Sequence, residues 1–341
     1  MSSQVWLPGA TAFSLLVITL PSVRRLASRW QLYDLPGQLK IHGQPIPRVG
    51  GVALTFALVT SALASETSFS AHRIAFFLAL AVIWATGLID DLVGLSPWIK
   101  LTGQFGAALL FCQIGGWEVL VSTNVPLNVA AACLFIATFV NAFNFLDGAD
   151  GLAAGVAGMI ALGYILLSIK AGTPFDCVAA ALLGSCLGFL VFNFPPAKIF
   201  MGDSGSTTVG FVVAFLSMDF WRAKNGAGHE LLLPVVFAGL PLLDFFLAIF
   251  RRLRKGVSPF AGDRFHLYDL LFQRGWSAQR VAIACYAVTG LLMMLGWLGE
   301  REEWNSSFCF LLALVFGCLL LAAVRLGSLS FDTSARMQEK S

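Results

Sequence analysis

The chain has 341 residues, 57% of them hydrophobic and 12% charged, with a formal net charge of +3 and a mean hydropathy of +0.80. A soluble domain carries roughly 25% charged residues, about twice this density, and apolar runs able to cross a ~30 Å hydrocarbon core recur along nearly the whole length. A soluble fold is therefore excluded, and the near-neutral charge gives no reason to expect a nucleic-acid partner.

The first apolar run, Val5 to Val23, has no basic leader, is long for a signal-peptide core and shows no small-residue cleavage pattern, so it reads as a spanning helix. Eleven spans are expected, over 5–22, 49–65, 73–89, 101–117, 127–143, 154–170, 177–194, 207–220, 231–250, 281–298 and 307–325. The fold class is thus all-α, a polytopic membrane helix bundle. Glycine, alanine and serine within several spans suit close helix packing in lipid. The seven cysteines have no CxxC or metal-ligand spacing and mostly sit in apolar runs, as small buried hydrophobes do. Polar connections reach only about 25–30 residues, so 1–341 reads as one integral-membrane domain. Its motifs lie over 34–271, two C-terminal spans over 281–325, and a tail over 326–341. The absence of a clear internal repeat argues against a repeat-built transporter.

Basic residues fix an orientation. The connections 23–48, 90–100, 144–153, 195–206, 251–280 and 324–341 hold 17 of the 22 lysines and arginines. That side is expected to be cytoplasmic, with the N-terminus outside and the C-terminus inside. Asp34, Asp90, Asp91, Asp147, Asp150, Asp203, Asp263 and Asp269 fall on the same side, while Asp244 is the main acid within a span. Acidic residues contribute little to insertion, so eight aspartates on one face need another reason, and a cation site supplies one.

The chemistry-bearing segments come in chain order. Asp34-Leu-Pro36 leads through Lys40, His42, Pro45, Pro47 and Arg48 to the Gly50-Gly51 pair that enters the second span. Gly87-Leu-Ile-Asp90-Asp91 ends the third span; adjacent carboxylates at a membrane boundary repel unless a cation compensates, although a solvated helix end explains such a pair equally well. Asn141 and Asn144 share a helix face and run into Asp147-Gly-Ala-Asp150-Gly151, a set suited to imide, ribose and phosphate groups. After Asn193-Phe-Pro195-Pro196, Lys198, Phe200 and Gly202 lead to Asp203 in a small-residue loop expected to open the eighth span. Ser204 or Ser206 would cap that helix, whose first amides favour an anion. Arg251 to Lys255 read in part as an ordinary positive-inside signal, whereas Asp263, Arg264, His266, Tyr268 and Asp269 form a denser polar set.

Together these pieces resemble the polyprenyl-phosphate N-acetylhexosamine-1-phosphate transferase family. The matching strings are DLPGQLKIHGQPIPRVGG, DDLVGL, NAFNFLDGADGL, PPAKIFMGDSGS and DRFHLYDLL, in the family's order over residues 34–271. Span number and orientation look more like the undecaprenyl-phosphate N-acetylglucosaminyl 1-phosphate transferase branch than the muramoyl-pentapeptide branch, which typically has one span fewer. The last motif departs from the family's histidine run and reads His266-Leu267-Tyr268-Asp269, so only His266 carries over from it.

The resemblance implies attack of an undecaprenyl-phosphate oxygen on the sugar-bearing phosphorus of a UDP-sugar, with release of UMP, in a bacterial plasma membrane. It implies catalytic roles for Asp90, Asp91 and His266, and Mg²⁺, with Mn²⁺ as the alternative ion, on Asp203 and Asp91. It places Arg48, Lys100, Asn144, Asp147, Asp150, Lys198, Phe200, Gly202 and Arg264 around the substrates, and leaves a homodimer open. The rival from another class, a secondary transporter, would gather its ionisable groups near the bilayer midplane, whereas here they collect at loop ends.

Overall fold

The structure is a computed structural model that describes residues 2–35, 37, 43–66, 69–116, 124–171, 177–223, 232–301 and 304–329. Lys40 and His42 lie outside them. Among the described residues the helices are α1 (Ser2–Arg29), α2 (Gly50–Ser65), α3 (Ala71–Val93), α4 (Pro97–Gly115), α5 (Val125–Leu146), α6 (Leu152–Ala171), α7 (Cys177–Asn193), α8 (Gly202–Ala223), α9 (Leu232–Phe237), α10 (Gly239–Arg254), α11 (Leu267–Gln273), α12 (Ala278–Arg301) and α13 (Ser306–Arg325). Six helices, α1, α3, α5, α6, α12 and α13, contain stretches long and apolar enough to cross a membrane, and α2 and α7 are shorter apolar helices. The fold is an all-α polytopic membrane bundle, with one addition to the expectation: β1 (Tyr33–Asp34) and β2 (Ile46–Pro47) form a two-residue antiparallel ladder.

Local sequence explains the helix ends. Ser70, Ser96, Asn124 and Asn305 each accept the amide three residues on, at the starts of α3, α4, α5 and α13. Pro97 then occupies the first turn of α4, where no amide is missed. The expected span 231–250 is two helices. Pro241 has no amide to offer the carbonyl of Phe237, so the ladder breaks there, and the chain resumes as α10 after Ala238. Two other boundaries shift toward the loops. Helix α3 runs on through Asp90 and Asp91, and α8 begins at Gly202 rather than 207, so Asp203 sits in a helical first turn and not in a loop.

Helix α8 is the axis of the bundle. It is buried from Ser204 to Met218, small hydroxyl side chains included, and packs against α2, α3, α5 and α6. Phe76, Phe111, Phe211 and Phe215 interlock α3, α4 and α8, with ring centroids 4.2–6.1 Å apart. Small residues let backbones meet elsewhere. Gly184 of α7 lies directly against the Gly9 backbone of α1, the most intimate helix pair of the bundle. A Cβ there would overlap backbone that cannot swing aside. Gly184→Leu is therefore expected to destabilise the fold by about 1–3 kcal/mol, seen as a lower melting temperature in detergent, with little loss of activity in the molecules that remain folded.

Candidate active site

The end of α3 and the start of α8 form the centre of the polar face. Asp91, only 4% exposed, turns both carboxylate oxygens onto α8: Oδ1 accepts the Asp203 amide (2.8 Å) and Oδ2 the Ser204 amide (2.9 Å). The cap of α8 is thus lent by another helix, not by Ser204 or Ser206 as expected. Ser206 Oγ instead accepts from Asn144 Nδ2 (3.0 Å). Gly202 makes the approach feasible. Its φ is +70°, and a Cβ would stand 2.7 Å from both Asp91 oxygens, so a side chain is excluded twice over.

The entry to α2 is laced to the same place. The Phe200 amide donates to Pro47 O (2.7 Å), and the Gly50 and Gly51 amides donate to Phe200 O (2.9 Å) and Met201 O (2.8 Å). Arg48 Nη2 donates to the Asp91 carbonyl. Gly94, at φ +70°, stops α3, and Asp90 Oδ1 accepts the Leu95 amide (2.7 Å) as the chain turns into α4. Lys100, in the first turn of α4, then reaches Asp90 Oδ2 (3.1 Å) and Asp203 Oδ2 together.

The exit of α5 adds a second wall. Asn141 and Gln104 exchange amide hydrogen bonds (2.6 and 3.4 Å) below it. Asp150 Oδ2 accepts the Ala197 amide (2.9 Å). Asn193 Oδ1 accepts the Gly151 amide (2.9 Å) while its Nδ2 donates to Ile199 O (2.8 Å). These bonds bind the Asp147–Gly151 turn to the proline-rich loop. Tyr268 closes the corner, its ring against Gly148 and its hydroxyl donating to Phe145 O (3.2 Å).

A third wall comes from α10 and α11. Arg251, 1% exposed, pairs with Asp263 through Nη2 (2.7 Å) and also donates from Nη1 to Ser328 O (2.8 Å). Arg252 Nε shares Asp263 (3.2 Å). The positive-inside expectation for Arg251 and Arg252 is therefore incomplete, because both are buried in a network. Arg264 pairs with Asp269 (3.0 Å). His266 has Nδ1 2.6 Å from Asp244 Oδ2 and Nε2 3.4 Å from Arg252 Nη2.

Between these walls lies a cleft of about 450 Å³. Seven of the eight aspartates grouped by the sequence line it, the exception being Asp90, which joins through Lys100. Of the residues singled out in the sequence, Arg48, Asp91, Asp147, Asp150, Phe200, Gly202, Asp203 and Arg264 are on its surface. Five expected residues are not on the lining: Asp90 and Lys100 beside Asp203, Asn144 bonded to Ser206, exposed Lys198, and His266, 6% exposed among protein groups. Sequence reasoning gives no role to Asp244 and no site role to Asn193. Asp244 has one signal, a lone acid in an apolar span, and Asn193 has none beyond its place before two prolines.

The electrostatics of the cleft are unbalanced toward negative charge. Burial, then the like charges of Asp203, Asp91 and Asp150, hold Asp147 well above the usual carboxylate range. Burial also lifts Asp269 to about 6, against the pull of Arg264 and His266. Burial opposes ionisation of Asp263 too, but Arg251, Arg252 and His266 outweigh it and keep that carboxyl below its ordinary value. Among the described residues no group of three or more His, Cys, Asp or Glu is arranged as a cation site. The donor chemistry nonetheless suits a hard divalent ion, since crowded carboxylates that raise one another's pKa are relieved by a cation.

Comparison with known proteins decides the class. Residues 73–220 match the sequence profile of glycosyl transferase family 4. The decaprenyl-phosphate N-acetylglucosaminephosphotransferase of Mycobacterium tuberculosis is 36% identical over 85% of this chain and 81% of its own length. The protein of the same name from Mycobacterium leprae is 35% identical over 85% and 82%. The undecaprenyl-phosphate alpha-N-acetylglucosaminyl 1-phosphate transferase of Escherichia coli is 27% identical over 85% and 83%. The chain belongs to the polyprenyl-phosphate N-acetylhexosamine-1-phosphate transferase family. In this transferase the matched segment holds the α3 end, the α5 exit and the α8 start, the three elements that meet at Asp91 and Asp203.

Two substitutions separate support from chemistry at the α3–α8 junction. Asp91→Ala strands two α8 amides and is expected to reduce stability by about 1–3 kcal/mol as well as activity. Asp90→Ala leaves those amides capped and gives up the Leu95 amide and one Lys100 partner at a half-buried turn, so it should melt above Asp91→Ala. Thermal unfolding of both variants in one detergent checks the contrast.

Proposed function

We infer that the chain transfers a sugar-1-phosphate from a UDP-sugar to a polyprenyl phosphate, releasing UMP and leaving the lipid-diphospho-sugar that starts an envelope polysaccharide. The sugar is N-acetylglucosamine, for which both the Mycobacterium tuberculosis and the Escherichia coli relatives are named; the lipid is undecaprenyl phosphate, as in the name of the Escherichia coli protein, the mycobacterial one being named for decaprenyl phosphate. One observation carries the reading: Asp90, Asp91, Asp203 and Lys100, from three helices, meet at the edge of one polar cleft at the end of an otherwise apolar bundle.

An oxygen of the lipid phosphate attacks the sugar-bearing phosphorus, forming a P–O bond as the bond to UMP breaks. Two anions must meet, so charge neutralisation is the main task. Lys100 exchanges a carboxylate partner for a phosphate oxygen, and Arg48 and Arg264 offer guanidinium groups from the cleft wall. Mg²⁺, or Mn²⁺ in its place, would be held by Asp203 and Asp91 and would supply further charge to the leaving UMP. Asp91 keeps lone pairs for this, because each of its oxygens accepts one amide. A phosphate monoester has a second pKa of about 6, so the acceptor is mostly dianionic at pH 7. Asp90 accordingly positions Lys100 and the acceptor and has little proton to remove.

Phe200, Asp147 and Asp150 receive the uridine, with Asn144 supporting them through Ser206. Gly202 lets the chain approach closely, and Lys198 is assigned by resemblance alone. His266 lies buried behind Asp263 and Arg264, where the Asp244 carboxylate favours its protonated form. Eleven membrane crossings, an outer N-terminus and a cleft open to the cytoplasm of a bacterial plasma membrane fit the lysine and arginine bias. The scheme requires no second copy of the chain.

A donor panel tests the reading. Purified protein with undecaprenyl phosphate and Mg²⁺ is expected to release UMP from UDP-N-acetylglucosamine. Release only from UDP-muramoyl-pentapeptide would move it to the peptidoglycan branch, and none from any sugar nucleotide would favour transport. Asp203→Ala should reduce turnover by at least about a hundredfold; near-normal turnover would remove Asp203 from the ion site. Chelation should stop the reaction, with recovery on adding Mg²⁺ or Mn²⁺.

A further inference from the structure

Asp244 is buried (3% exposed) on α10 and does not line the cleft. Its two oxygens are nevertheless spent on one purpose. Oδ2 faces His266 Nδ1 at 2.6 Å, and Oδ1 accepts the Leu267 amide at 2.8 Å. His266 is the N-cap residue of α11 but makes no capping hydrogen bond with its own side chain. Asp244 therefore both caps α11 from a neighbouring helix and fixes the imidazole that precedes it. The residues on either side of that imidazole build cleft wall: Tyr268, Asp269 and Phe272 on α11, with Asp263 and Arg264 just before His266.

A structural cap alone would not need the imidazole. His266 stacks parallel on Tyr268 (5.4 Å, 3°) and meets the edge of Phe145 from α5 (5.5 Å, 81°). Those contacts set its plane, and Asp244 sets which nitrogen points inward. The outer nitrogen then faces the Asp263 carboxylate at 3.9 Å and the Arg252 guanidinium at 3.4 Å. Both neighbours belong to the cluster that anchors the residue before Arg264.

We propose that Asp244 is a positioning residue for the transfer reaction, holding His266 and the start of α11 so that the 263–269 wall presents Arg264 to the donor diphosphate. This rests on the proposed function, in which Arg264 faces that diphosphate. The charged groups around His266 are Asp244 and Arg252 on α10, Asp263 and Arg264 in the loop, and Tyr268 and Asp269 on α11. Cys285 of α12 lies near Asp244. Burial opposes protonation of His266, but Asp244, then Asp263 and Asp269, outweigh it and raise its pKa. The imidazolium therefore persists to higher pH than that of a free histidine and is lost as pH rises through the raised value. Removing the Asp244 charge must shift that loss to lower pH.

The test is the pH dependence of UMP release by the full-length protein with UDP-N-acetylglucosamine, undecaprenyl phosphate and Mg²⁺. Asp244→Asn keeps an oxygen for the Leu267 amide and removes the charge. It is expected to move the alkaline limb of kcat/KM down by about one pH unit or more, to raise the KM for the UDP-sugar and to melt near the parent. A superimposable profile would overturn the proposal, as would an equal loss at every pH together with a lowered melting temperature. His266→Gln, which donates but does not titrate, should abolish that limb; its persistence would also overturn the proposal, and this variant serves if Asp244→Asn does not accumulate. Arg264→Ala should raise the donor KM without moving the limb. If it leaves the donor KM unchanged, the assignment of Arg264 to the donor fails. A damaged Arg264→Ala beside an unaltered Asp244→Asn sinks the role of Asp244 alone.

Discussion

The carboxylate of Asp91, lodged across the first two amides of α8, is the contact on which the polar face depends. A helix N-terminus concentrates unpaired donors and a partial positive charge, and burying one in the middle of a membrane bundle needs an acceptor that does not belong to it. Asp91 supplies that acceptor from α3, and by doing so sets Asp203 beside Asp90 and Lys100. The geometry tolerates no side chain at two positions, because a Cβ on Gly87 of α3 would meet the Asp203 carbonyl and one on Gly202 would meet the Asp91 carboxylate. Neighbouring aspartates in one short string thus do different work. Asp90 faces the lysine, and Asp91 holds the helix that carries the third acid.

The same device recurs at the opposite wall. Asp244 reaches from α10 to the start of α11, as Asp91 reaches from α3 to the start of α8. In both places a local signal, a serine or a histidine near the cap position, is passed over for a carboxylate from a different helix. Charged anchors are costly to bury singly, and each is satisfied by two partners. Arg251 and Arg252 obey the same rule from the cationic side, meeting in the Asp263 carboxylate.

Much of this is legible in the sequence because insertion and chemistry leave separate traces. Apolar runs mark the helices, and aspartates gathered at one set of loop ends point to one polar face. Asp34, Asp91, Asp147, Asp150, Asp203, Asp263 and Asp269 do line one cleft. Pairings across helices stay hidden. Nothing near Ser204 or Ser206 signals that Asp91, over a hundred residues away, takes over their capping role, so the pattern of residues puts the start of α8 several positions late. The break at Ala238 has a signal, Pro241, but it is overridden by an apolar run whose length and composition suit a continuous span. Arg251 and Arg252 are partly hidden by their own residue type: a basic cluster after a span is ordinary, and only burial distinguishes a network from a topology signal.

Arg251 also ties the cleft to a distant part of the chain. Its guanidinium joins Asp263, on the cleft wall, to the carbonyl of Ser328, just past α13, and Arg274 reaches the Leu326 carbonyl nearby at 3.0 Å. Helix α13 packs on α12 and, through Phe316, against Gly239 at the α10 start, and its inner end is moored to the cleft wall. Fusions or cuts that disturb 326–328 would be transmitted to the wall, although no residue there approaches a substrate. The short turn just past α13 is in that sense a brace for the cleft, held through backbone carbonyls and not through any particular side chain.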